Sequence, residues 1–572
     1  MKRPGLVDCG SGVWLERGVP CRMSDGTVLI SDHYYPASEG PIPTLLMRQP
    51  YGRDIASTVV YAHPVWFAQR GYNVVIQDVR GRGDSEGEFY PFRNERRDGV
   101  ETIAWLLTRP ECNGKIGMYG FSYQGLTQLL AAAEQPEGLV CIAPGMTACD
   151  LYRGWFYQNG ALRLSSTMGW GLQLLKADAR RSGLRQASEI LEQAWINVRS
   201  QPMAAPYRSH PALDLPGLPG YVLDWFDHDL PGSYWEDLDV STSLNKIQIP
   251  ALHVAGWFDT YLLGSIDGFV GLCQAAGSQS ARDHQYLLAG PWIHIPWGDR
   301  AGEGAFGSAA LFNTDEHLLR WFNHWLKGSG EFNDEPRIRH FAIGANQWFS
   351  AGSWPTDGWV EFYLHCQTRA NSRKGDGELS ESAPESAEPA DIFVYDPEVP
   401  VWAPGGPPAA SGLFDQNVLE LGNNLLVYDS APLAEPLHVF GSPQVTLYCS
   451  SSARAADFTA KLVRVTSAGR AESICIGIAR SSALFPRGAY AADKIHCWQF
   501  DIEPTSCVFS AGERIRLEIA SSAFPLYDRN PSNETKACLA DVWTWQRSTQ
   551  TVYHHVDYPS HLRLPVGRYS PC

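Results

Sequence analysis

The sequence predicts two fold classes in series, an α/β domain carrying a helical cap insertion and then an all-β sandwich of jelly-roll-like topology. Three observations carry this. Short runs rich in branched and aromatic residues alternate with segments of helical periodicity up to about residue 145 and again after 245. Between 146 and 245 that rhythm is lost. From Pro336 onward helical periodicity fades into short alternating runs separated by Gly, Pro, Ser and Asn. At 572 residues the chain is too long for one core. It divides into 1–145 and 246–330 as the two parts of the α/β domain, 146–245 as the cap, and 336–572 as the sandwich.

Strands are expected at Val28 to Tyr35, Thr44 to Arg48, Asn73 to Asp78, Lys115 to Tyr119, Leu139 to Ala143, Ala251 to Ala255 and Gln285 to Ala289. A helix is expected from Asn94 to Leu107, where apolar residues recur at helical intervals, and another from Asp315 to Leu326. Alternation of this kind implies a parallel sheet covered on both faces by helices. The insertion carries Trp155, Trp170, a helical segment near Leu172 to Leu191, a Pro-rich region from Pro202 to Pro219, and then Trp225 and Trp235. Placed there, it would cover the C-terminal edge of the sheet, where open α/β sheets bind ligands. In the sandwich, Val445 to Tyr448, Phe458 to Val465 and Arg514 to Ile519 read as strands. The stretch 370–389 is polar, Ser/Glu-rich and free of aromatics, and is expected to be a solvated, mobile loop.

A net charge of −16 argues against a general nucleic-acid or anionic-membrane surface. Met1 to Leu6 has positive charge but no apolar run behind it, so no secretory signal is read, and no stretch approaches the length needed to span a bilayer. The 13 cysteines lack C-x-x-C spacing and read as reduced thiols of a cytoplasmic protein. His554, His555, Asp557 and His561 match no ligand spacing, so packing is preferred to a metal. Neither a metal nor an organic cofactor is expected.

The chemistry centres on Lys115 to Gly125, followed by an Ala/Leu-rich segment. A strand, a tight turn and a helix in that order can lift the lone Ser122 to a helix N-terminus, where negative charge is favoured. Gly120 leaves room for a strained backbone, and Gly125 lets the helix lie close to the sheet. Against the usual G-x-S-x-G spacing, position 124 is Gln and the glycine comes one residue late, so taken alone the stretch also fits an ordinary turn. A serine needs a base, and the base needs an acid to orient it. Asp259 and His294 each stand just past the end of a later predicted strand, in the chain order serine, acid, histidine. Singly, Asp259 also reads as a helix N-cap and His294 as a loop histidine. Taken together, Ser122, Asp259 and His294 read as a triad.

Gly120-Phe121-Ser122-Tyr123-Gln124-Gly125, Gly256-Trp257-Phe258-Asp259 and Gly290-Pro291-Trp292-Ile293-His294 resemble the motifs of the cocaine esterase and X-prolyl dipeptidyl-peptidase superfamily of serine hydrolases, whose elbow reads G-x-S-Y-x-G. Arg48-Gln49-Pro50-Tyr51, the run from Asp78 to Gly87, Ser522 to Pro525 and Asp528 to Pro531 resemble it too, so the likeness covers about residues 15 to 567. It implies an α/β-hydrolase core, with the backbone N–H of Tyr123 and the hydroxyl of Tyr51 as oxyanion donors, and with Trp155, Trp170 and Tyr261 lining an acyl pocket. Core packing remains open for each tryptophan, and a loop anchor for Tyr51. The glycine-rich run Gly81 to Gly87 does not suit a dinucleotide, because its third glycine is late and its acids would face a pyrophosphate.

Relatives that grip a substrate ammonium place acids just after the triad aspartate, whereas here Thr260-Tyr261-Leu262-Leu263 follows. A carboxylesterase for neutral or aromatic acyl esters is therefore expected, with a small-molecule ester as its partner and the oligomeric state left open. An X-prolyl dipeptidyl-peptidase, or an acylase on amides or lactams, is the alternative, and would need acids such as Asp224, Asp227 or Asp229 at the mouth. A catalytically inactive binding protein on a hydrolase scaffold is the alternative of another class.

Overall fold

The computed structural model describes residues 6–572, apart from 39, 55–57, 202, 357 and 407–409. Residues 1–5, read above as carrying no export signal, and Pro202 at the head of the Pro-rich region lie outside the described residues. Among the described residues no helix is long and apolar enough to cross a membrane.

A twelve-stranded sheet organises the first part of the chain and also takes in three strands of the region 336–572, assigned above to the sandwich. Its strands are β1 (Leu6–Asp8), β2 (Val13–Arg22), β3 (Val28–Pro36), β4 (Ile42–Gln49), β5 (Asn73–Asp78), β6 (Cys112–Phe121), β7 (Leu139–Gly145), β8 (Ala251–Gly256), β9 (Gln285–Gly290), β10 (Ile338–Ala342), β11 (Gln347–Ala351) and β12 (Ser570–Pro571). The spatial order is β1-β2-β3-β5-β4-β6-β7-β8-β9-β10-β11-β12. From β5 to β10 every neighbouring pair is parallel. Those strands are continuous apolar runs because both faces are covered, as β5 and β8 show by being buried at every position. The helices α1 (Glu95–Leu107) and α2 (Tyr123–Ala132) lie where the periodicity put them. β2 carries a bulge between Glu16 and Val19, and the strand list read from sequence omitted it.

The insertion is helical, with one difference from expectation. The segment near Leu172 to Leu191 is two helices, α3 (Leu164–Arg181) and α4 (Arg185–Ser200), broken where Gly183 takes φ +68°. After α5 (Leu262–Ala275), the helix predicted to start at Asp315 runs as α6 (Thr314–Phe322) and continues into a wider turn over Asn323–Lys327. Beyond it the chain is dominated by strands, including Gln444–Ser451, Asp457–Val465 and Arg514–Ala520.

The expectation of a mobile loop over 370–389 is corrected. Glu378–Ser380 is a strand that pairs with Trp359–His365 and Leu426–Ser430. Asp376 accepts the backbone N–H groups of Thr368 at 2.9 Å and Arg369 at 2.8 Å, and Glu388 is bonded to His365 at 2.7 Å. Two of its acids, Asp376 and Glu388, thus accept backbone donors, while Glu378, Glu381 and Glu385 are exposed as expected. His554, set aside above as a metal ligand, is buried and bonded to Asp391 at 2.9 Å.

The insertion and the β-rich part are joined by buried charge. Arg480 is bonded to Asp457 at 2.8 Å and to Asp528 at 2.9 Å, and it donates to the carbonyl of Gly160. Asp528 in turn accepts the N–H of Leu162 at 2.9 Å. Removing one member of such a cluster strands the others without a partner. Arg480→Met is therefore expected to lose about 3–5 kcal/mol of stability. Its urea-unfolding midpoint should fall well below the parent's, and an unchanged midpoint would show that the cluster contributes nothing.

Candidate functional site

Ser122 stands between β6 and α2 with φ 62° and ψ −129°, a left-handed backbone that a side chain adopts only under constraint. Its N–H donates to Gly145 at 2.9 Å. The glycines on either side are required by contact. A Cβ on Gly120 would lie 2.5 Å from that of Gln124, and one on Gly125 would lie 2.7 Å from that of Thr147. Thus the late glycine is the one packed against the neighbouring strand end, and Gln124 fits because its side chain turns back to accept the N–H of Phe121 at 3.3 Å.

The residue after the serine is held from behind. Tyr123 stacks on Phe92 at 4.4 Å, and its hydroxyl donates to Glu95 at 2.8 Å. Glu95 is paired with the fully buried Arg48 at 2.7 Å. The N–H of Tyr123 opens α2, where no carbonyl of the same helix can receive it.

Tyr51 is placed by the same motif. Its N–H donates to Gln49 Oε1 at 2.7 Å, and Gln49 donates to Asp78 at 3.1 Å. Its hydroxyl accepts a hydrogen bond from Trp170 Nε1 at 3.0 Å, and the Ser122 side chain is near enough to act on it. Burial pushes this hydroxyl up to about 12, against the opposing effect of those two partners, so it keeps its proton at neutral pH. The glycine-rich run after Asp78 is structural, because a Cβ on Gly83 would lie 2.0 Å from the Asp78 carboxylate.

Asp259 and His294 follow β8 and β9 in adjacent positions of the sheet. His294 Nδ1 lies 2.8 Å from Asp259 Oδ1, and the aspartate is 3 % exposed. With Nδ1–H donated to the carboxylate, Nε2 is left as the acceptor. The imidazole lies 5.3 Å, ring to ring, from Phe121 and 5.0 Å from Tyr261. The structure thus joins Asp259 to His294 by a direct hydrogen bond, places Ser122 near the Tyr51 hydroxyl, and, among the described residues, makes no hydrogen bond between Ser122 and His294. Phe121 and Tyr261 connect the two pairs by packing.

Trp155, Trp170 and Tyr261 do meet. Tyr261 stacks on Trp155 at 3.9 Å, Trp155 lies 5.3 Å from Trp170, and Trp170 is parallel to Trp225 at 5.1 Å. Phe92, which the sequence did not single out, touches both Trp155 and Trp170 from a backbone at φ 67°. The three acids named as an ammonium clamp are already engaged. Asp224 accepts from the hydroxyl of Tyr90 at 2.8 Å, Asp227 pairs with Arg208 at 2.6 Å, and Asp229 pairs with Lys536 at 2.7 Å.

Sequence reasoning also missed Arg163 and Glu503, a buried pair at 2.8 Å. With Asp259 they line a cavity of about 390 Å³, and Asp259 Oδ2 has no hydrogen-bond partner among the described residues. Burial raises the Glu503 carboxyl above the usual range, with Arg163 opposing it. No local pattern could have announced a pair separated by 340 positions.

Comparison with known proteins agrees with this architecture. Residues 25–296 match the X-Pro dipeptidyl-peptidase (S15 family), and residues 330–563 match the X-Pro dipeptidyl-peptidase C-terminal non-catalytic domain. Cocaine esterase of Rhodococcus sp. (strain MB1 Bresler) is 33% identical over 570 residues, covering 95% of this chain and 97% of that protein. In fold, an α-amino acid ester hydrolase superposes with a TM-score of 0.79 at 23% identity, covering 98% of each chain. An aminopeptidase from a marine sediment Thaumarchaeota archaeon gives 0.80 at 22%, covering 96% of each. On the strength of the cocaine esterase identity along nearly its whole length, the chain belongs to the cocaine esterase and X-prolyl dipeptidyl-peptidase superfamily of serine hydrolases, an α/β hydrolase followed by an all-β domain.

Proposed function

We propose that the protein is a serine carboxylesterase that cleaves esters of neutral or aromatic acyl groups through an acyl-enzyme. The observation that carries this is a serine strained at φ 62° at a helix start, next to Phe121, on which an imidazole fixed by a buried carboxylate at 2.8 Å packs. In the proposed reaction the Ser122 hydroxyl turns to His294 Nε2 and gives up its proton as its oxygen bonds to the ester carbonyl carbon. The carbonyl oxygen becomes an anion received by the Tyr51 hydroxyl and the Tyr123 N–H. Collapse breaks the bond to the alcohol, which leaves with the proton from Nε2. A water then repeats the sequence on the acyl-enzyme and releases the acid.

The aromatic cluster around Trp155, Trp170 and Tyr261 favours an uncharged acyl group. Engagement of Asp224, Asp227 and Asp229 by Tyr90, Arg208 and Lys536 weighs against an ammonium clamp, and so against dipeptidyl-peptidase specificity. The 33% identity to cocaine esterase supports the same choice.

On this reading the enzyme hydrolyses aryl acetates, butyrates and benzoates, and activity confined to Xaa-Pro anilides would reject it. A fluorophosphonate probe should label the parent and leave Ser122→Ala unlabelled; equal labelling of the two would remove Ser122 from the reaction. Tyr51→Phe should lower kcat by about 10²–10³-fold with a much smaller change in KM. Parent-like turnover of that variant on a good ester would take the oxyanion role from Tyr51.

A further inference from the structure

A second cavity, of about 430 Å³, opens beside Tyr51 between the loop of Gly52 and Gly83 and the helix α3. Arg82, Lys176, Arg180 and Arg181 line it in a chain whose net charge is −16. Arg82 is 2 % exposed, pairs with Asp178 at 3.0 Å, and leaves its Nε buried with no partner among the described residues. Lys176 and Arg180 share the single carboxylate of Glu192, at 3.1 and 2.9 Å, and Lys176 also lies 4.0 Å over the ring of Trp195. Arg181 donates to the carbonyls of Gly83 and Ser85, both at 2.6 Å, and pairs with no carboxylate among the described residues.

Four cations with Asp178 and Glu192 as their carboxylate partners leave positive charge in excess. Arg82 and Lys176, only 2 and 12 % exposed, are held by Asp178 and Glu192, so the excess lies on Arg180 and Arg181, which are exposed at the edge of the cavity. A concave wall lined by more cations than carboxylates attracts an anion. The cavity shares Tyr51 with the aromatic cluster, since Trp170 of α3 donates to the Tyr51 hydroxyl while Lys176 and Arg181 of the same helix line the cavity.

We propose that this cavity is an anion subsite that receives a carboxylate carried on the alcohol part of the ester, while the acyl part occupies the tryptophan cluster. The assignment of the two parts rests on the esterase reading above; the anion subsite itself does not.

The test compares 4-acetoxybenzoate with 4-acetoxybenzamide, which share an acyl group and a shape and differ in one charge. The carboxylate should be preferred in kcat/KM on the order of tenfold at low salt, the size expected of a hydrogen bond to a charged group. The preference should shrink as salt is added. It should also fall toward unity in Arg181→Met and in Lys176→Met, the second variant sparing the loop carbonyls that Arg181 holds. Phenyl esters of terephthalic acid, with the carboxylate on the acyl side, should show no such preference over the matching carboxamide.

Calorimetric binding of 4-hydroxybenzoate against 4-hydroxybenzamide gives a readout without chemistry. The same discrimination is expected there, and it should be lost in both variants. Equal handling of acid and amide, a preference that neither variant moves, or one confined to acyl-side carboxylates would each overturn the proposal. Failure to hydrolyse 4-acetoxybenzamide, with benzoate binding intact, would instead count against the esterase reading.

Discussion

A carboxylate correctly aimed in a nearly dry place is the constraint around which the molecule is arranged. Asp259 is 3 % exposed, has one oxygen on His294, and leaves the other buried with no hydrogen-bond partner among the described residues. Arg163 from the insertion and Glu503 from the β-rich part line a cavity with it, as a paired cation and anion. The aspartate therefore sits in a field set by distant segments of chain, and the imidazole it orients inherits that dependence.

The elbow meets a second, independent demand. Holding Ser122 at φ 62° costs backbone energy that only surrounding packing can offset. Gly120 and Gly125 remove the clashes, Gln128 bonds the carbonyl of Gly120 and the N–H of Ala143, and the Arg48–Glu95–Tyr123 chain anchors the next residue from below. These contacts come from β4, β6, β7, α1 and α2, so the strain is distributed over rigid elements rather than a loop. A rigid mount of this kind suits groups whose geometry must be ready before substrate arrives.

The abundance of tryptophan finds its use in the insertion. Trp155, Trp170, Trp225 and Trp235 form one aromatic body with Phe92, Phe156 and Tyr261, and Trp170 also donates to Tyr51. These residues are packed into the core of the insertion, each 8 % exposed or less. The same helix that supplies Trp170 carries the cationic residues at its far end, so α3 divides the surroundings of Tyr51 into an apolar side and a charged side.

Local chemistry determined much of this. Strands such as Asn73–Asp78, the helix after Ser122, and the positions of Ser122, Asp259 and His294 past strand ends were legible because apolar period, glycine placement and chain order are written along the backbone. The break in the insertion at Gly183 and the pinned acids of 370–389 were not, since a helical period does not record one left-handed residue and a carboxylate's partners are chosen by folding. Tertiary structure alone decided that Arg163 meets Glu503, that Asp224, Asp227 and Asp229 are taken by Tyr90, Arg208 and Lys536, and that Arg82 and Arg181 converge beside Tyr51. Those pairings join residues far apart along the chain, and charge carries no signal along a sequence about which opposite charge it will find in space.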